Sequence, residues 1–86
     1  MAFNIVYKKS VRRDLKKIPE EECRRILDKI EADLSENADA FTVLKGKFAG
    51  LRKYRVGRYR VIFAIFDNDV LILRIGHRKE VYKKKI

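Results

Sequence analysis

The apolar residues of this 86-residue chain change period between Leu34 and Leu51, and that change constrains the fold more than any other feature. Upstream, Val11, Leu15 and Ile18, and then Cys23, Ile26, Leu27, Ile30 and Leu34, recur at helical spacing. Downstream the repeat is two, the mark of strands with one buried face. The aromatic and β-branched run at residues 3–7 (FNIVY) reads as an opening strand. Ser10 is placed to cap the first helix. Pro19 ends that helix and suits the first turn of the next, where Glu20, Glu21 and Glu22 meet the positive end of the helix dipole. Asn37 closes the second helix, residues 37–50 form a connection punctuated by Gly46 and Gly50, and strands follow at 51–56, 59–66 and 70–75. The order β-α-α-β-β-β predicts an α+β fold in which a two-helix hairpin packs on one face of a largely antiparallel four-stranded sheet. With no repeat, low-complexity tract or linker, residues 1–86 read as a single domain.

The loop Gly57-Arg58 sets the register of the first hairpin. Glycine at the first position of a two-residue loop is the sign of a type II′ turn. It pairs Val56 with Tyr59, Arg55 with Arg60, and Lys53 with Ile62. Tyr54, Val56, Tyr59, Val61, Phe63 and Ile65 then form the bed for the helices, and Lys53, Arg55 and Arg60 share the other face. A three-residue loop at Asp67-Asn68-Asp69 would put Leu71, Leu73 and Ile75 on the helix side, with Arg74 and Arg78 on the side of Arg60. A two-residue loop would turn Arg74 under the helices, so the longer loop is expected. Like charges directly opposite one another destabilise a sheet. An anion seated among Lys53, Arg55, Arg60 and Arg78 would compensate.

The charge distribution points the same way. Residues 1–44 carry nine basic and nine acidic side chains, whereas residues 45–86 carry thirteen against three, which is the whole net charge of +10. One strongly basic face of this kind suits a phosphate backbone. Cys23 and His77 are single, so an internal disulfide is impossible and an ordinary zinc site lacks ligands; no metal or cofactor is expected. No apolar run approaches the roughly 20 residues that span a bilayer, and no signal peptide opens the chain, so a cytoplasmic protein without a membrane partner is expected. Alternation points His77 to the helix side. The closing stretch from His77 contains only two aliphatic residues, Val81 and Ile86, and is expected to be weakly anchored.

Together the first helix with Leu15 and a Lys-Lys pair, the second helix starting at a proline, Leu44-Lys45-Gly46, the hairpin LRKYRVGRYRVIF and the ending GHRKEVYKK resemble the RelE/ParE superfamily of toxins. The match runs nearly end to end, and the hairpin and the ending are its specific parts. The resemblance implies a toxin of a toxin–antitoxin pair of the RelE type, an endoribonuclease that cuts messenger RNA in the ribosomal A site. In that chemistry the ribose 2′-hydroxyl attacks, leaving a cyclic phosphate and a 5′-hydroxyl. Carried over residue by residue, the catalytic set falls on Lys53, Arg55, Arg60, Arg78 and Tyr82, with His77 as a further candidate. Lys45, Lys47, Arg52, Arg58, Arg74, Lys83 and Lys84 are candidates for holding messenger and ribosomal RNA. Some relatives have lysine where this chain has Arg55, and arginine is too strongly protonated to act as a base. A cognate antitoxin is the implied protein partner. Two other readings stay open: a ParE-type gyrase inhibitor of the same fold, and a non-catalytic RNA- or ribosome-binding protein.

Overall fold

The computed structural model describes residues 2–81. Four strands, β1 (Asn4–Tyr7), β2 (Arg52–Val56), β3 (Tyr59–Phe66) and β4 (Asp69–His77), form one sheet in the order β1-β4-β3-β2. β1 runs parallel to β4, and the other two pairings are antiparallel. Between β1 and β2 lie α1 (Lys9–Lys16) and α2, which spans residues 20–37. The expected α+β architecture is present. No helix among the described residues is long and apolar enough to cross a membrane.

The helical stripes bury as their spacing requires. Val11, Ile18, Ile26, Ile30, Leu34 and Ala38 pack on Tyr54, Val56, Val61, Phe63, Val70, Ile72 and Ile75 of the sheet. Within α2 the five residues Ile30–Leu34 form a widened π turn. Tyr54 reaches this turn from β2, its hydroxyl donating to the Asp33 carboxylate and lying 3.3 Å from the Lys29 carbonyl. Burial, followed by that carboxylate, pushes the Tyr54 hydroxyl pKa well up from its ordinary value. Cys23 is tied down by its thiol, which lies 3.1 Å from the Leu15 carbonyl oxygen.

Three expectations need correcting. Ser10 is not the cap of α1; the helix starts at Lys9, and the Ser10 hydroxyl donates to the Leu73 carbonyl at 2.9 Å. The β3–β4 loop has two residues, because Phe66 pairs with Asp69 and Asp67 adopts a φ of 54°. Val70 and Ile72 therefore face the helices in place of Leu71 and Leu73. Arg74 nevertheless escapes the core, because a β-bulge shifts the ladder between Phe63↔Ile72 and Ile62↔Arg74. The extra residue, Leu73, reverses the alternation and returns Ile75 to the helix side. The third correction concerns the closing stretch. Val81 is 0% exposed, so the turn after β4 is anchored.

The bulge lies where β1 ends. Beyond Tyr7 the edge of β4 has no strand beside it, and α1 satisfies its backbone instead. Lys8 N–H donates to the Ile72 carbonyl at 2.9 Å, Ser10 takes the Leu73 carbonyl, and the Asp14 carboxylate accepts the Ile75 N–H at 2.9 Å.

Candidate nucleic-acid interface

The first hairpin folds as its loop predicts. Gly57 has a φ of 58°, Arg58 does not enter the left-handed region, and Val56 pairs with Tyr59, Arg55 with Arg60, and Lys53 with Ile62. That register sets Lys53, Arg55 and Arg60 on the face turned away from the helices. None of these three, nor Arg58 or Arg78, makes an ion pair among the described residues. Arg55 and Arg58 are exposed, and Lys53 and Arg60 are partly so.

β4 completes the surface. Gly76 stands opposite Arg60, and His77 opposite Tyr59. Arg78 N–H donates to the Arg58 carbonyl at 3.0 Å, which ties the start of the final turn to the hairpin tip and leaves the Arg78 side chain exposed. The turn then closes through Glu80 N–H on the His77 carbonyl, and Val81 returns over the sheet beside Gly76. A Cβ on Gly76 would lie 3.5 Å from that of Val81. Val81, Ile62, Ala64 and Leu73 are all buried but belong to no helix-facing cluster, so this side of the sheet carries a small apolar patch next to its cations.

His77 faces Tyr59, with ring centroids 6.1 Å apart, and its Nδ1 accepts the Lys79 N–H at 3.3 Å. Both contacts lie on the helix side, away from the Arg55–Arg60 row. Two of the basic residues expected at RNA are engaged elsewhere. Arg52 pairs with Phe63 and donates through Nη1 to the carbonyls of Phe41 (2.8 Å) and Asp39 (3.1 Å), so it holds the connection against β2. Arg74 Nη2 lies 2.7 Å from Asp14 Oδ1, with Asp14 itself only 2% exposed. Lys45 and Lys47 are exposed on the connection, and the Lys47 ammonium sits 5.6 Å from the centre of the Phe48 ring. Tyr82, Lys83 and Lys84 lie outside the described residues.

Gly76 is the residue that sequence reasoning passed over, and Val81, read there as part of a weakly anchored ending, is buried. A lone glycine late in a strand signals close approach by other backbone, and Gly76 carried that signal. Among the described residues, no three His, Cys, Asp or Glu side chains gather as a metal site. Chemically, the outer face offers guanidinium and ammonium groups, without ion pairs among the described residues, to a phosphodiester. Guanidinium matches phosphate oxygens with paired hydrogen bonds, and cations held in place before the reaction stabilise charge as it develops.

Residues 5–82 match the family model described as "ParE toxin of type II toxin-antitoxin system, parDE". Over 87 aligned residues the chain is 31% identical to Toxin RelG of Mycobacterium tuberculosis, covering 98% of this chain and 100% of that one. The crystal structure of the toxin–antitoxin complex RelBE2 from the same organism contains a chain of similar fold. Its TM-score is 0.83 at 30% identity, over 91% of this chain and 93% of that one. A mutant of the Escherichia coli toxin RelE in the free state superposes with a TM-score of 0.74 at 20% identity, over 96% and 93% of the two chains.

Proposed function

The chain belongs to the RelE/ParE toxin family of type II toxin–antitoxin systems, and from that premise we propose that it is a ribosome-dependent endoribonuclease of the RelE type. The observation that carries this reading is the direct pairing of Arg55 with Arg60, beside Lys53, on a face where none of them meets a carboxylate among the described residues. Such a pair lowers the stability of the sheet unless an anion occupies it. The RNA phosphodiester is that anion.

Arg60 is the main contact to the nonbridging oxygens. Lys53 stabilises charge near the attacking 2′-hydroxyl, and Arg78 stabilises it at the departing 5′-oxygen. The bond from the 2′-oxygen to phosphorus forms as the bond to the 5′-oxygen breaks; the 2′-hydroxyl proton passes to water and the 5′-oxygen takes one from water, giving a cyclic phosphate and a 5′-hydroxyl. Tyr82 stacks on a base or orients the 2′-hydroxyl. Arg55 stays protonated and contributes charge only. Arg58, Lys45, Lys47, Lys83 and Lys84 add contacts to messenger and ribosomal RNA, whereas Arg52 and Arg74 hold the fold. The ribosome supplies the in-line orientation that a small open sheet cannot impose, and orientation supplies much of the rate. The site of action is therefore the cytoplasm. A cognate antitoxin is the protein partner, in keeping with the relatives solved as toxin–antitoxin complexes.

The family model bears the ParE name, which favours one second reading, a gyrase inhibitor that uses the same fold without cutting RNA. Mapping of 3′ ends on messenger incubated with purified protein, with and without ribosomes, tests both. The nuclease reading predicts cuts inside codons on translated messenger only. Intact messenger together with arrested gyrase would establish the other.

A further inference from the structure

β4 ends at His77, and the three amides that follow it are all engaged. Arg78 N–H donates to the Arg58 carbonyl at 3.0 Å, and Glu80 N–H to the His77 carbonyl at 2.8 Å. The amide between them, Lys79 N–H, donates to a side chain, His77 Nδ1, at 3.3 Å. One residue therefore supplies two of the acceptors on which the chain reverses, a carbonyl oxygen and a ring nitrogen.

The ring itself is placed by the sheet. His77 pairs with Tyr59 in the β3–β4 ladder, and the two rings meet edge-on at 79°, with centroids 6.1 Å apart. Tyr59 in turn packs against the core between sheet and helices. Successive residues of a strand face opposite sides, so Gly76 lies with Arg60 on the outer face while His77 lies on the helix side. A neutral imidazole has one nitrogen that donates and one that accepts. With Nδ1 committed to the Lys79 amide, the ring is an acceptor fixed to the sheet, at the root of the turn that carries Arg78.

We infer that His77 is a positioning residue for Arg78, holding the turn through Nδ1 and exchanging no proton with RNA. The inference rests on the role proposed for Arg78 at the departing 5′-oxygen and deepens it. Lys79 is exposed, so without the imidazole its amide turns to water at little cost in stability. What is lost is the place of Arg78, and a misplacement of about 1 Å at a reacting centre can cost on the order of a hundredfold in rate. His77→Asn sets an amide oxygen at the same number of bonds from the backbone as Nδ1, and that oxygen accepts a hydrogen bond but never takes a proton near neutral pH. His77→Gln sets its oxygen one bond further out, beyond the Lys79 amide. The two substitutions thus separate an acceptor from an acid or base.

The test compares His77→Asn, His77→Gln and His77→Ala with the parent in single-turnover cleavage on programmed ribosomes. The limiting rate should fall by about tenfold or more in His77→Ala and His77→Gln, with the half-saturating ribosome concentration little changed. His77→Asn should recover most of that loss. Hydrogen exchange at the Arg78 and Lys79 amides should quicken in His77→Ala and His77→Gln but not in His77→Asn, while the middle of β3 stays protected in all three. Nitrogen NMR of the parent in mildly alkaline buffer, which needs no variant to fold, should find Nδ1 without a proton. Equal loss in all three variants would make the imidazole an acid or base and overturn the inference. Full activity in all three, a loss confined to ribosome binding, or an Nδ1 that bears the proton would overturn it as well. Messenger left intact by the parent is a different failure: it refutes the nuclease reading, and with it any catalytic use of this turn, whatever the tautomer.

Discussion

Asp14 on α1 grips the bulge in β4 with both carboxylate oxygens: Oδ1 takes Arg74 Nη2 at 2.7 Å and Oδ2 takes the Ile75 N–H at 2.9 Å. The pair is nearly enclosed, so removing one partner leaves a charge without compensation. Asp14→Ala should cost about 3–5 kcal/mol in urea unfolding, the range for breaking a buried ion pair. Asp14→Asn retains an acceptor for the backbone N–H and should cost less. Equal stability of Asp14→Ala and the parent would show that the bulge holds itself.

Two tyrosines should make the fold sensitive to alkali. Burial and the neighbouring Glu31 push Tyr7 up to about 12, and Tyr54 moves in the same direction under burial and Asp33. Both are neutral acids held more firmly in the folded state. Their contribution is whole below the ordinary value of 10.0 and is lost as pH rises through the folded values. Unfolding free energy should therefore fall from about pH 10 upward, and fall less in the Tyr7→Phe, Tyr54→Phe double variant. Tyrosinate absorbance gives an independent check, since Tyr7→Phe should remove a component titrating near 12.

How much of this was legible along the chain depended on how local each cause is. A two-residue loop opening on Gly57 admits one register, and the positions of Lys53, Arg55 and Arg60 follow from it without tertiary information. The loop at Asp67-Asn68-Asp69 admits two registers. The choice rests on the Leu73 bulge, which is stabilised by Ser10 and Asp14, 63 and 61 residues away from their partners. Alternation cannot encode contacts at that separation. For the same reason Arg52 and Arg74 looked like free surface cations, because their carbonyl and carboxylate partners come from other elements. Val81 was underrated because a single aliphatic residue has no period, and its burial depends on the space left by Gly76.

Arg60→Ala separates chemistry from stability. The side chain lies on the outer face opposite Arg55 and Gly76, so its loss should change stability by no more than about 0.5 kcal/mol, or raise it by relieving repulsion. Single-turnover cleavage on programmed ribosomes should drop by about a hundredfold, as for loss of one transition-state donor. A variant that unfolds would make Arg60 a structural residue and remove the central member of the proposed site.

Tyr82 is tested by two substitutions on the same assay. If its ring stacks on a base, Tyr82→Phe keeps activity and Tyr82→Ala loses about 1–3 kcal/mol of binding. If its hydroxyl orients the ribose, Phe and Ala lose equally. Full activity in Tyr82→Ala would leave the site to Lys53, Arg55, Arg60 and Arg78.

Gly76 and Val81 supply the last test, because together they set where the final turn lies. Val81 is fully buried beside Gly76, in the row of the ladder that contains Arg60. The same turn begins at Arg78, held by its N–H on Arg58. A Cβ at Gly76 meets Val81 at 3.5 Å, an ordinary contact, so Gly76→Ala should fold and cleave like the parent. Gly76→Val adds two methyl groups in the direction of Val81 and should displace the turn. Exchange should then quicken at the Arg78 and Glu80 amides while amides in the middle of β3 stay protected. Cleavage should fall through kcat, with KM for ribosomes little changed, because Arg78 shifts while Lys53, Arg55 and Arg60 remain in place. Val81→Ala should act in the same sense, and Val81→Ile should restore part of the rate. Wild-type cleavage in Gly76→Val, with exchange at Arg78 measurably faster, would detach the turn from the chemistry and take Arg78 out of the proposed site.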